Sequence, residues 1–298
     1  MTLLAVLIVV PSYSTHYQNR PHSPLLLKNK TIESTVSSLF FCCADRPSDM
    51  VSYVQEPSIC IVLQREREIY LGTECQYFDD SHLMFCPVNI PISLHIEHAT
   101  IETPVIVLSM KLNLTTIREV LAKIPPPKQS INKRYLGIKW PLEDTVLSVF
   151  ERLIDLLNYP NDIVFLASLI QQEIYYRLLM AQKGEKLRQL VVNGSHTHRI
   201  TQATDWLKTH LSELVVIEDL ASSCGMSVSG FHQYFKEITQ LSPLQYQKSL
   251  RLMEARRLIQ LGEEQISQIA MQIDYESPSQ FSREYKRLFG IIPSSELI

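Results

Sequence analysis

The sequence predicts an α+β chain: an N-terminal β-barrel, a helical linker, and a C-terminal all-α domain with two helix-turn-helix motifs. Three observations carry that expectation. Short apolar or alternating runs recur through residues 25–124, the pattern of strands closed into a small barrel or jelly roll. Between 142 and 190 apolar residues recur at steps of three and four, the period of amphipathic helices. Near the C-terminus one pattern of alanine, turn and paired aromatics occurs twice.

The chain has 298 residues, 45% hydrophobic and 20% charged, which suits a water-soluble chain of two or three domains. Residues 1–10 are apolar and end at Pro11. They are too short to span a bilayer, which takes about 20 residues, and lack the positive n-region of a signal peptide. The expectation is a short strand or a misplaced start codon, with residues up to 24 as a polar arm and no membrane partner. Strands are then expected at 58–63, 67–71, 83–85, 92–96 and 105–110, punctuated by Gly, Pro, Asn and Asp.

This first domain raises two questions of chemistry. Cys42, Cys43, Cys60, Cys75 and Cys86 all fall in it, with Cys224 outside, and none sits in CxxC spacing. Reduced thiols in a cytosol follow. Cys60, Cys75 and Cys86 are candidate sensor thiols, a role that needs a lowered pKa and partial exposure; buried packing is the alternative. His82, Cys86, His95, His98 and Glu102 invite a metal reading, but His95 and His98 fall on opposite faces of a strand. They do not form the convergent set a metal needs, so neither metal nor cofactor is expected. No nucleophile triad, phosphate loop or usable acid pair stands out, so an enzyme is not expected.

Pro125, Pro126 and Pro127 are read as closing the barrel, since they continue neither helix nor central strand. In the linker, 125–192, Val146, Val149, Leu153, Leu156 and Leu157 mark one helix, which Pro160 separates from a second over 163–181. The second carries a stripe of Leu166, Leu169, Ile170, Ile174 and Leu178. These helices either form an interdomain or dimer surface or cover the barrel. Asn193, Gly194 and Ser195 read as a flexible joint.

The C-terminal domain spans 193–298. In its first motif, 217–238, Ala221 lets a second helix cross closely, Gly225 suits a turn of positive φ, and Ser227 is an N-cap. Phe231 and Phe235, four apart, share a buried face. That leaves Ser229, His232, Gln233 and Lys236 outward, an arrangement that suits a DNA major groove. In the second motif, 266–289, Ala270, Tyr275, Phe281 and Tyr285 answer Ala221, Met226, Phe231 and Phe235 after a turn one residue longer. Ser277, Pro278 and Gln280 give a capped helix start, and Gly290 ends the helix. Between the motifs, Ser242 to Gly262 encloses a helix without internal glycine. Such a spacer can hold two heads about 34 Å apart, one DNA turn.

Residues from about 199 to 295 resemble the DNA-binding domain of the AraC/XylS family of bacterial transcription regulators. The resemblance rests on Leu220, Ala221, Gly225, Met226, Ser227, Phe231, Phe235 and Pro243. It continues through the helix from Arg251 to Leu258, then Ile269, Ala270, Tyr275, Ser277, Phe281, Arg283, Phe289, Gly290 and Pro293. It implies two recognition helices. Base-edge candidates are Ser229, His232 and Gln233 in the first head, and Pro278, Ser279, Gln280, Ser282 and Arg283 in the second. Phosphate contacts would come from Lys236, Lys248, Arg251, Arg256 and Arg257, then Arg283, Lys286 and Arg287. The net charge is −3, so any DNA affinity must come from a local patch. Asp274 stands where the family usually has Gly, and Gln233 where it often has Arg. Residues 57–64, 70–72 and 87–91 resemble the family's N-terminal cupin-like domain, a small-molecule sensor or dimerisation surface. The partners so implied are promoter DNA, a small-molecule effector, RNA polymerase and a second copy of the chain, in the cytoplasm. Two other readings stay open: a metal-dependent cupin enzyme with a helical appendage, and a protein-binding anti-activator.

Overall fold

The computed structural model describes residues 31–296, apart from 73, 126–137, 182, 214, 263–264 and 276. The expectations for residues 1–24, Pro126 and Pro127 lie outside the described residues. Two antiparallel sheets face each other. One has the order β1 (Thr31–Glu33), β2 (Leu39–Ala44), β9 (Val105–Lys111), β4 (Ser58–Gln64), β7 (His82–Cys86), β10 (Lys139–Pro141). The other has the order β3 (Ser48–Gln55), β8 (Ile90–Ile96), β5 (Arg67–Leu71), β6 (Glu74–Phe78).

Side chains alternate between the two faces of a strand, and here both faces of the first sheet are covered. Cys60, Val62, Met84, Cys86, Val105 and Val107 meet Ile69, Leu71, Ile90 and Ile92 between the sheets. Ile59, Ile61, Leu83, Phe85, Ile106 and Leu108 lie under helices on the outer face. This double burial explains why β4 and β9 read as continuous apolar runs rather than alternating ones.

The boundary expected at residue 124 moves. A helix, α1 (Leu114–Lys123), follows β9, its first N–H groups accepted by the Asn113 side chain at 3.1 Å. β10 then returns to pair with β7, setting Trp140 opposite Leu83, with its ring 4.2 Å from that of Phe85. The sheet therefore continues past the prolines.

The linker helices are α2 (Asp144–Asp155), a 3-10 turn over Leu156–Asn158, α3 (Pro160–Met180) and α4 (Gly184–Val191). Pro160 is the first residue of α3 and does not break it. Val149, Phe150 and Leu153 of α2 and Ile174, Tyr175, Leu178 and Leu179 of α3 pack on the first sheet. One face of these helices thus covers the barrel. Leu166 and Leu169 leave the expected stripe: they are 38% and 48% exposed. The segment at 193–195 is a hydrogen-bonded turn rather than a loose joint. Ser195 N donates to Val192 O at 3.2 Å, its hydroxyl caps the next helix, and Gly194 takes φ 75°.

The C-terminal helices are α5 (His196–Thr209), α6 (Ile217–Ser223), α7 (Val228–Thr239), α8 (Pro243–Leu261), α9 (Ile266–Gln272) and α10 (Pro278–Phe289). Two cores share α8. Tyr246 and Leu250 enter the first with Phe231 and Phe235; Leu252, Ala255 and Ile259 enter the second with Phe281 and Tyr285. Ser242 and Gln245 close a capping box at its start, and Gly262 ends it at φ 70°. The first core is fused to the barrel. Ile238 packs against both, Tyr246 Oη donates to Asn89 O at 2.5 Å, and Asn89 Nδ2 donates to Asp205 Oδ1 at 3.0 Å.

Candidate nucleic-acid interface

The two heads are built on one turn. In the first, Met226 N donates to Ala221 O at 2.9 Å and Gly225 N to Ser222 O at 2.8 Å. In the second, Tyr275 N donates to Ala270 O at 2.9 Å and Asp274 N to Asp274's neighbour three back, Met271 O, at 3.0 Å. Both pairs are the Schellman closure of a helix end, which needs a left-handed residue. Gly225 supplies it at φ 63°, and Asp274 at φ 65°. Asp tolerates this region better than most residues, and Arg251 Nη1 meets its carboxylate at 2.9 Å.

Each turn sets a recognition helix whose apolar stripe is fully covered. Ala221, Phe231 and Phe235 are buried, as are Ala270, Phe281 and Tyr285, with tilted or edge-on ring contacts at 5.4 and 5.5 Å. Ser227 and Ser277 cap the two helices, accepting from Gly230 N and Gln280 N. Gln280 does not close a capping box there; its amide reaches Glu284 at 3.4 Å.

On the outer faces Ser229, His232, Gln233 and Lys236 are exposed, and so are Pro278, Ser279, Gln280, Arg283, Lys286 and Arg287. Two hydroxyls are already engaged: Ser282 Oγ donates to Pro278 O at 2.9 Å, and Ser279 Oγ shares a bond with Ser277 Oγ at 2.8 Å. The first face carries Lys236 with Glu237 beside it; the second carries Arg283, Lys286 and Arg287.

Among the cations read as phosphate contacts, Arg251 and Arg256 are largely buried in intramolecular pairs, and Lys248 and Arg257 form more exposed ones. Arg251 donates to Leu211 O at 2.6 Å and Glu213 O at 2.9 Å, and its side chain is 12% exposed. Arg256 lies 2.7 Å from Glu296 and over the Phe289 ring. Lys248 meets Glu284 at 2.5 Å, and Arg257 pairs with Glu254 at 2.6 Å. Burial works to raise the Glu284 carboxyl, but hydrogen bonds from Lys248 and Tyr275 outweigh it and hold it below the usual carboxylate range. Sequence reasoning missed Glu284 and also Arg199, which donates to the carbonyl of Gly225 and braces the first turn. Neither carries a local signal, because both act on residues outside their own turn of helix.

In the barrel domain, Cys60 and Cys86 are buried and Cys75 is exposed. Burial pushes the Cys86 thiol well up, the reverse of what a reactive thiol requires. Cys86 and Cys60 serve as core packing. His82 pairs with Asp79 at 3.1 Å and His95 with Glu68 at 3.6 Å, while His98 lies 3.7 Å from Glu97. Among the described residues no three His, Cys, Asp or Glu side chains gather as a metal site, and no helix is long and apolar enough to cross a membrane.

Comparison with known proteins follows this division. A family model described as the AraC-type transcriptional regulator N-terminus matches residues 35–186, and one described as a helix-turn-helix domain matches 220–296. The chain is 26% identical over 160 residues to the HTH-type transcriptional activator RhaS of Salmonella paratyphi A, covering 53% of this chain and 57% of RhaS. It is equally similar to RhaS of Salmonella agona, with the same identity and coverage. The chain thus spans about half the length of the curated relatives it matches. Among solved structures, an apo lysine-to-alanine variant of ToxT from Vibrio cholerae superposes with TM-score 0.50 at 13% identity, covering 89% of this chain and 98% of that one. That likeness is one of fold.

Proposed function

Since the chain belongs to the AraC-type transcriptional regulators, we propose that it binds promoter DNA with α7 and α10 in successive major grooves, under the control of a small molecule held by the barrel domain. The carrying observation is the pair of matched turns and buried aromatic stripes on one shared helix, each leaving a polar face outward. In this reading Arg283 pairs with a guanine edge, Gln233 and Gln280 read neighbouring bases, and Ser229, His232, Pro278, Ser279 and Ser282 complete the two contact faces. Lys236, Lys286 and Arg287 hold phosphates. The protein acts in the cytoplasm without catalysis, as an activator that touches RNA polymerase.

A second copy is the further partner. On the outer side of α3, Phe165 and Leu169 are 71% and 48% exposed and Tyr176 and Met180 continue the stripe. Exposed Asp162 precedes this stripe and Arg177, 3.3 Å from Glu173, flanks its far end, so a two-fold antiparallel pairing sets Asp162 of one copy toward Arg177 of the other. Phe165→Asp should leave a monomer by sedimentation velocity; an unchanged dimer overturns that surface.

The test of the DNA reading is quantitative binding to promoter fragments recovered by genome-wide mapping of bound sites. Arg283→Ala should cost about 1–3 kcal/mol at one base position and relax specificity there, while Lys286→Ala weakens all sequences alike and lowers the salt slope by about one. Binding unchanged in both variants would overturn the assignment.

A further inference from the structure

We infer that the open end of the barrel, between the β4–β5 and β6–β7 turns and the segment after β8, binds a basic amino acid. This deepens the effector reading above, and rests on it only for its regulatory consequence. The cleft there measures about 310 Å³.

Its floor is Arg67, the first residue of β5. Arg67 shares the inward face with Ile69 and Leu71 and is 6% exposed, yet it borders the cleft. Its Nε is buried without a hydrogen-bond partner. A buried guanidinium with an unused donor is costly. Its inner neighbours do not relieve it: burial pushes both the Tyr53 hydroxyl and the Cys86 thiol up, so neither is an anion at neutral pH. A planar carboxylate entering from the cleft matches the guanidinium fork.

The rim asks for the opposite charge. Glu66, Glu68, Asp79, Asp80 and Glu97 line it, against Arg65 and Arg67, with His95 beside Glu68 and His98 beside Glu97. Hydrogen bonds from Tyr70 and Tyr77 hold Glu68 below the usual range, and those from Ser81 and His82 hold Asp79 at about 2. Inorganic anions and dicarboxylates are therefore repelled. A ligand with one carboxylate for Arg67 and net positive charge elsewhere fits both halves. The exposed ring of Tyr77 adds a face for the cation.

The experiment is isothermal titration of the full chain with L-lysine and L-arginine. Cadaverine, which lacks the carboxylate, and L-glutamate, which reverses the net charge, are the controls. One of the basic amino acids should bind, with both controls weaker by at least about tenfold. Arg67→Gln should bring its affinity down to that of cadaverine, and the rim variant Glu97→Gln should weaken it several-fold while leaving the core untouched. No binding of either basic amino acid, or an affinity indifferent to Glu97→Gln, overturns the site. Ligand binding that leaves promoter affinity unchanged sinks the effector reading alone, and the site stands.

Discussion

The two reading heads share a turn, a capped recognition helix and an aromatic stripe, but differ in what supports them. The first is fused to the barrel through Ile238, Val54 and the Tyr246–Asn89 bond. The second draws its core from C-terminal residues alone, though α10 also runs close to β3. At equivalent positions, Tyr234 stacks on His196 at 3.6 Å in the first head, while Glu284 in the second joins Lys248 and Tyr275. The outward charge differs too, with Arg283, Lys286 and Arg287 all on the second. The contrast teaches an asymmetry: the first head is tied into the barrel core, and the second carries most of the outward positive charge.

The strongest way to break this contrast is to empty each core. Phe281→Ala and Phe231→Ala each delete a fully buried ring, at a cost of about 3–5 kcal/mol. Hydrogen exchange followed by mass spectrometry should show Phe281→Ala loosening α9 and α10 while leaving β8 unmoved. Phe231→Ala should also raise exchange in β3 and β8. Equal spread from both variants would abolish the distinction.

The turns give a smaller effect. Gly225→Ala places a side chain at φ 63°, and its Cβ would lie 3.1 Å from Arg199 Nη1; a loss of about 1–2 kcal/mol is expected. Asp274→Gly relieves the same strain but removes the Arg251 ion pair, so thermal unfolding should move by less than about 1 kcal/mol. A larger loss for Asp274→Gly than for Gly225→Ala would show that the ion pair, not the backbone, sets that turn.

The smallest effect is acid sensitivity. The folded Glu284 carboxyl titrates below its ordinary value, so its contribution is complete above the unfolded pKa, near 4.3, and is lost as pH falls through the folded one. Exchange from α10 should therefore rise on acidification below that point before exchange from α7 does. Glu284→Gln should remove that difference; if it persists, another group is responsible.

Much of this was legible in the residues. Gly225, Ser227, Ser242, Ser277 and Gly290 mark ends whose conformation is local, and the aromatic pairs at four-residue spacing declare the buried face. β4 and β9 were legible because burial on both faces leaves an apolar run. β3 and β6 were not, since Ser48–Gln55 and Glu74–Phe78 mix polar and apolar residues at sheet edges. α1 escaped for want of a strong apolar stripe, with only Ile117 and Val120 buried. Arg251 misled because a helix face tells which residues point outward together, not that carbonyls 38 and 40 residues away are close enough to take them. Cys86 misled because burial is a property of the sheet pair, not of the cysteine.

Helix α8 sends Leu250 into one core and Leu252 into the other. It is therefore a phasing element. One residue inserted along it would advance the second head by about 1.5 Å and swing it by about 100°, since a turn takes 3.6 residues. Whole turns would be needed to restore the bearing, so in the DNA reading proposed above the length of this helix would be set by the pitch of the duplex as much as by packing.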